Sequence, residues 1–241
     1  MPVDLGGKVA LVTGVGRVGQ IGHAVARGLG RAGARLLLAD VNAVGLADRV
    51  KEFGGEGIGA RASVGDLTQP EAARAAVTAA QTHFGGLDVA VNVAGGLFSY
   101  GPFTAVTPDA LERELAVNVK TAFFTCQAVI PALLARGGGA IVNFASIAAI
   151  RSLMHMAGYS AAKSAVAGLT RALAREYRDA GIRVNAVAPA TVRTADNVAQ
   201  MSDTKTPLVE LDDVVNTILF LVSEEGRAIT GQIVPITGKA Y

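Results

Sequence analysis

Short, almost purely apolar runs alternate along the chain with longer stretches whose apolar residues return every three or four positions. The runs at 8–13, 35–40, 58–63, 88–91, 140–145, 183–188 and 232–236 are rich in Val, Leu, Ile and Ala. Their length and lack of polar alternation predict strands buried on both faces. Between them, Ile21, Val25 and Leu29, and later Val166, Leu169 and Leu173, recur at helical spacing. Strand alternating with helix predicts a doubly wound parallel α/β sheet of seven strands, in one domain over residues 1–241. Ligands of such sheets sit beyond the carboxyl ends of the strands, so the loops that follow each strand are where chemistry is expected. Thr68 with Glu71 reads as a capping box, Thr107 with Pro108 as N-cap and first helical residue, and Gly54-Gly55 as a helix end. Gly137-Gly138-Gly139 reads as a turn.

Composition narrows the function classes. The 22 Lys and Arg against 20 Asp and Glu are scattered, so no basic stripe for nucleic acid is expected. Cys126, the single cysteine, excludes an internal disulfide, and Met1-Pro2-Val3-Asp4-Leu5 lacks the basic and apolar regions of a signal peptide, which predicts a cytoplasmic protein. The stretch 121–135 is the most apolar long one, but Thr125, Gln127 and Pro131 interrupt it. It falls short of the ~20 apolar residues a membrane span needs, so no membrane contact is expected. No metal site is expected either.

After the first strand comes Thr13-Gly14-Val15-Gly16-Arg17-Val18-Gly19-Gln20-Ile21-Gly22, which leads into a helix, and Asp40 ends the second strand. Glycines let the backbone approach a pyrophosphate, the helix N-terminus offers amides, and the acid takes ribose hydroxyls. The pattern predicts a Rossmann-like dinucleotide site. Gly14, Gly16 and Gly19 match G-x-G-x-x-G literally, while Ile21-Gly22 looks like the end of a longer loop, and the sequence leaves both registers open. A carboxylate at Asp40 repels a 2′-phosphate, which favours NAD over NADP; Arg17 is the one loop residue placed to favour NADP.

Tyr159-Ser160-Ala161-Ala162-Lys163 places phenol and ammonium on one face of a helix, a device expected to lower the tyrosine pKa. Ser146 ends the fifth strand and Asn118 lies in the long helix before it; a hydroxyl there can orient a substrate oxygen, and an amide can hold a water that relays protons. Taken singly, each has a plainer reading as a surface pair, a strand-end hydrogen bond or a buried polar contact.

Together these residues resemble the short-chain dehydrogenase/reductase family over essentially the whole chain. Asp66-Leu67, Asn92-Val93-Ala94-Gly95, Asn118-Val119, Ser146 and Pro189-Ala190-Thr191-Val192-Arg193-Thr194 each fall where that family places its motifs. The resemblance implies an oxidoreductase that interconverts an alcohol and a ketone, with Asn118, Ser146, Tyr159 and Lys163 catalytic. It implies that Asp66 and Leu67 face the adenine, that Asn92, Ala94 and Gly95 line the cofactor, that Lys163 also holds the nicotinamide ribose, and that Val192 and Thr194 fix the carboxamide. Val41 and Pro189 are placed beside them. Departures are the longer glycine loop, Val93 for a second Asn, Ala190 for Gly, and an ending Thr237-Gly238-Lys239.

The expected substrate wall, Ile147, Ala148, Ile150, Leu153, Met154, His155 and Met156 with Val198, Met201 and Gly96-Leu97-Phe98, is mostly apolar and suits a largely apolar small ketone or alcohol better than a sugar. Ser146, Ala148, His155, Tyr159 and Ala190 are its candidate contacts, and 195–207 resembles the family's substrate lid. Arg151 and Arg193 near the mouth keep open the alternative of a 3-oxoacyl-(acyl carrier protein) reductase, and a dinucleotide-sensing regulator is the non-enzymatic one. Surplus apolar residues on the helices 108–135 and 157–180, including Phe123, Phe124, Val129, Ala165, Val166 and Ala172, together with the last strand, predict a homotetramer, with a dimer next.

Overall fold

The computed structural model describes residues 3–151, 153–201 and 207–239. Seven strands form one parallel sheet: β1 (Val9–Thr13), β2 (Arg35–Asp40), β3 (Ala60–Val64), β4 (Val89–Asn92), β5 (Gly139–Phe144), β6 (Ile182–Pro189) and β7 (Ile233–Ile236). Their spatial order is β3-β2-β1-β4-β5-β6-β7. The chain works outward from β1 in one direction and then returns to start again at β4. The crevice between the carboxyl ends of β1 and β4 is therefore the switch point where ligands of such sheets lie.

Successive side chains of a strand point to opposite faces, and both faces here are apolar. Ala10, Val12, Leu36 and Leu38 pack on one side against Val25 and Leu29 of α1 (Ile21–Arg31), Leu46 and Phe53 of α2 (Ala43–Gly55), and Val214 and Ile218 of α8 (Leu211–Val222). Val9, Leu11, Leu37 and Ile141 pack on the other against α3 (Pro70–Phe84), α5 (Thr121–Ala135) and α6 (Ala157–Glu176). Only β3, at the sheet edge, shows exposed residues along most of its length.

Thr107 caps α4 (Pro108–Leu115), its hydroxyl accepting from Ala110 N at 3.2 Å, and Gly55 ends α2, as the sequence predicts. The capping box at Thr68 does not form. Pro70 sets the first helical position, so the cap falls on Gln69, and Glu71 turns to Arg74 instead. The predicted helix 108–135 is not uniform either: a π-helical segment, Ala116–Lys120, separates α4 from α5. The whole of Pro108–Ala135 is long and apolar enough to cross a membrane by length and composition, but it packs on α3 and α6 with half of its most apolar stretch buried, as a core helix does. The helix 157–180 ends as α6 at Glu176, followed by a short 3-10 turn. A short helix, α7 (Ala195–Gln200), follows β6. The last part of the expected lid, 202–206, lies outside the described residues.

Candidate active site

At the switch point the glycine loop adopts the longer register. A Cβ on Gly22, in the first turn of α1, would sit 2.1 Å from Gly14 O, and one on Gly14 would sit 3.0 Å from the Ala94 backbone. Both positions must be glycine for α1 and the loop after β4 to approach. Thr13 seals the same seam, its Oγ1 accepting from Ala94 N at 3.0 Å. Gly19 takes a left-handed turn (φ 70°) and Gly16 packs on Asp40. These two shape the loop rather than line the crevice.

Gly14, Gln20, Ile21 and Gly22 open onto a cavity of about 390 Å³ that continues past Asp40 and Val41 to Asp66 and Leu67, with Ala94 and Gly95 opposite. No side chain caps the N-terminus of α1 among the described residues, so its first amides face the loop free for an anion. Glycines that admit only backbone, an uncapped helix end and a carboxylate at the far strand end fit a dinucleotide. Asp40 also builds the loop: Oδ2 accepts from Gly16 N at 2.8 Å and Oδ1 from Asn42 N at 2.9 Å. Arg17 also lines this cavity. Its guanidinium pairs with Asp196 at the start of α7.

A second cavity of about 650 Å³ adjoins the first, lined by Ser146, Tyr159, Lys163, Pro189, Ala190, Val192 and Thr194, with Gly96, Leu97 and Phe98 opposite. Lys163, buried, donates to Phe144 O at 2.9 Å, and its Nζ lies 5.6 Å from the centre of the Tyr159 ring. Burial lowers the Lys163 pKa to about 8, against the pull of Glu114. Burial raises the Tyr159 pKa, Ser146 lowers it by hydrogen bonding, and the Glu114 charge raises it further. The expected lowering of the phenol pKa by Lys163 is thus reversed in the protein alone, because both groups have lost their water.

Several predicted site residues stand elsewhere. Asn92 is buried inside the sheet, its Nδ2 donating to Asn143 Oδ1 at 2.8 Å, and lines neither cavity, because the β4 pleat turns it inward. The Asn118 amide is committed: Nδ2 donates to Gly96 O at 2.8 Å and Oδ1 accepts from Gly96 N at 3.1 Å. It holds the loop after β4. Ala148 is buried in the turn after Ser146, its N donating to Ser146 Oγ at 3.2 Å. His155 is exposed in a left-handed conformation (φ 64°), its ring 5.7 Å from Tyr100 and outside the cavity. Arg193, expected at the mouth, is held by Glu210 at 2.8 Å. Val129 and Val166 face the core, leaving Phe123, Ala165 and Ala172 as the exposed members of the surplus set.

Two residues escaped sequence reasoning. Buried His23, next to Gly22, accepts from Gly19 N at 3.3 Å on Nδ1, bonds Glu52 through Nε2 and stacks on Phe53. Burial keeps its pKa low, which suits an acceptor bracing the glycine loop. Glu114 lies one turn before Asn118. Nothing in the charged run Glu112-Arg113-Glu114 sets it apart from its neighbours in the sequence.

Residues 14–238 match a family profile described as Enoyl-(Acyl carrier protein) reductase. The chain is 35% identical to the cyclohexanol dehydrogenase of Acinetobacter sp. (strain SE19), covering 96% of this chain and 94% of that protein. Its fold is similar to a short-chain type dehydrogenase/reductase from Mycobacterium ulcerans (TM-score 0.93, 30% identity, 99% and 91% covered). It is also similar to a 7 alpha-hydroxysteroid dehydrogenase complexed with NADH and 7-oxo glycochenodeoxycholic acid (TM-score 0.91, 30% identity, 99% and 96% covered).

Proposed function

The chain belongs to the short-chain dehydrogenase/reductase family of oxidoreductases, and from that premise we propose that it interconverts a secondary alcohol and a ketone with NAD, using Tyr159 as the acid/base. The observation that carries this reading is the convergence of Ser146, Tyr159 and Lys163 on one cavity that opens into the glycine-loop crevice. The nicotinamide, when bound, supplies or accepts the hydride. Tyr159 Oη gives its proton to the carbonyl oxygen during reduction and takes it back from the alcohol during oxidation. Ser146 Oγ, already hydrogen-bonded with that phenol, holds the same substrate oxygen. Lys163, fixed by Phe144 O, places its ammonium by the ring, where a cation favours phenolate formation. Val192 and Thr194 line the same cavity and would hold the carboxamide, and Asp40 and Val41 line the adjoining one and would meet the adenosine ribose.

The Asp40 carboxylate and the engagement of Arg17 with Asp196 support NAD over NADP. Leu97, Phe98, Leu153 and Met156 in the wall support a largely apolar small substrate. The Arg193–Glu210 pair removes one of the two cations on which a carrier-protein substrate would rely. The exposed side of α5, with Phe123, and of α6 supports a homotetramer, and we keep the cytoplasm as its compartment. A panel of ketones and secondary alcohols, followed by absorbance of the reduced nicotinamide with NADH and NADPH in parallel, tests the reaction. Turnover of apolar ketones with NADH is expected; activity confined to acyl carrier thioesters with NADPH would overturn it. Light scattering at micromolar concentration tests assembly, and a persistent single-chain mass would rule the tetramer out.

A further inference from the structure

Glu114 is completely buried (0% exposed). Its Oε2 accepts from Phe98 N (2.9 Å), Ser99 N (2.9 Å) and Ser99 Oγ (3.0 Å), and its Oε1 from Asn118 Nδ2 (3.0 Å). All four donors are uncharged. A carboxylate taken from water and satisfied in this way is a costly means of joining α4 to a loop, since well-packed apolar residues do the same at lower cost. Its position accounts for that cost. Through Phe98 it fixes a wall of the substrate cavity. Through Ser99 it supports the start of α6: a Cβ on Gly158, the residue before Tyr159, would lie 3.1 Å from Ser99 Oγ and 3.9 Å from Glu114 Cγ.

Its charge also reaches the reacting pair, opposing ionisation of Tyr159 and favouring the protonated form of Lys163. The charged groups lining the substrate cavity are Lys163 on the same helix as the phenol and, across it, Arg17 and Asp196, which pair with each other; Ser146, Gln20, Thr191, Thr194, Asn197 and Gln200 are, with the phenol, its uncharged polar groups.

We propose that Glu114 is a positioning residue for proton transfer at Tyr159: a buried carboxylate that pins the substrate wall and the start of α6, and sets a fixed negative charge against the phenol. The role rests on Tyr159 being the acid/base.

The test reads Tyr159 directly, as the near-ultraviolet tyrosinate absorbance of each protein minus that of its Tyr159→Phe counterpart. Glu114→Gln removes the charge and nearly keeps the shape. Tyr159 then titrates at lower pH by roughly one unit, the size of shift a nearby charge imposes, and the acid limb of alcohol oxidation moves with it. Glu114→Asp keeps the charge but shortens the reach, so the titration stays near wild type while KM rises. An unmoved Tyr159 titration in folded Glu114→Gln overturns the proposal. A titration that moves while the rate profile stays fixed leaves the grip of Glu114 on the phenol in place and overturns the assignment of Tyr159 instead. Should Glu114→Gln not fold, Ser99→Ala asks the question from the other side: with one donor gone the carboxylate is less neutralised, Tyr159 titrates at higher pH, and an unchanged titration counts against the role.

Discussion

At the adenosine end of the crevice the walls are main chain: Gly14 and Gly22 meet across a gap with no room for a Cβ, and Asp40 is held by two backbone amides. At the substrate end the walls are side chains, such as Leu97, Phe98, Leu153 and Met156, carried on loops and partly open to solvent. A site made of backbone tolerates almost no change in sequence and leaves a motif. A site made of loop side chains can change identity one residue at a time without disturbing the sheet behind it. The residues proposed for the chemistry sit between the two, on Ser146 just after β5 and in the first two turns of α6.

The sharpest break between the ends is expected from Tyr159→Phe. Turnover should fall by ~10²-fold or more, while NADH affinity, measured by quenching or enhancement of its fluorescence, stays near wild type. Affinity that collapses with turnover would show that the two ends cannot be separated. The opposite dissociation is expected from Gly22→Ala, whose methyl must displace Gly14 O. Overpacking of this kind costs about 1–3 kcal/mol, to be read as a lower Tm together with weakened NADH binding. An unchanged Tm would mean that the loop is softer than its glycines imply.

Lys163 spans both ends, and its titration gives a signed test. Its folded pKa, about 8, lies below the ordinary 10.5, so between those values the unfolded chain binds more protons. Stability from this group therefore rises as pH goes up through that window and is withheld below it. Urea unfolding of wild type and Lys163→Met at two pH values inside the window should show wild type gaining on the variant by at most about 1.4 kcal/mol per pH unit. A constant gap would mean that the ammonium is not desolvated as its burial indicates. The smallest effect is expected at Asp40→Ala: up to about tenfold less discrimination against NADPH, from lost charge repulsion, in a ratio of kcat/KM values. A wild-type enzyme already preferring NADPH would reverse the reading of Asp40.

What could be read in the sequence follows the same division. All seven strands lie within two residues of their predicted bounds, because burial on both faces leaves a nearly pure apolar signature. Asp40 ends β2, Ser146 follows β5, and Tyr159 and Lys163 lie in the first two turns of α6, where motif and topology agree. Asn92 was not legible because one residue at a strand end decides whether a side chain faces crevice or core. His155 was not, because its left-handed backbone turns it toward Tyr100. Arg17 and Asp196 lie 179 residues apart, and no local pattern announces such a pair.

The π-helical segment at Ala116–Lys120 has a consequence for how this chain tolerates length changes. A regular α-helix advances roughly 100° per residue, so one extra residue absorbed in a wide turn resets the angular phase of everything after it. Glu114 and Asn118 can thus face the substrate loop while Thr125, Val129 and Leu133 of the same continuous rod are buried against the core, two sets that a uniform helix would force onto one face. Deleting one residue within 116–120 should let the rod close into plain α-helix with both sets still on target, whereas deleting one within α5 would swing every residue after it by about 100°. The same deletion in an exposed turn such as 54–57 would cost only loop geometry. The wide turn is a phase slip stored in the helix, and the substrate pocket and the core are tuned to opposite sides of it.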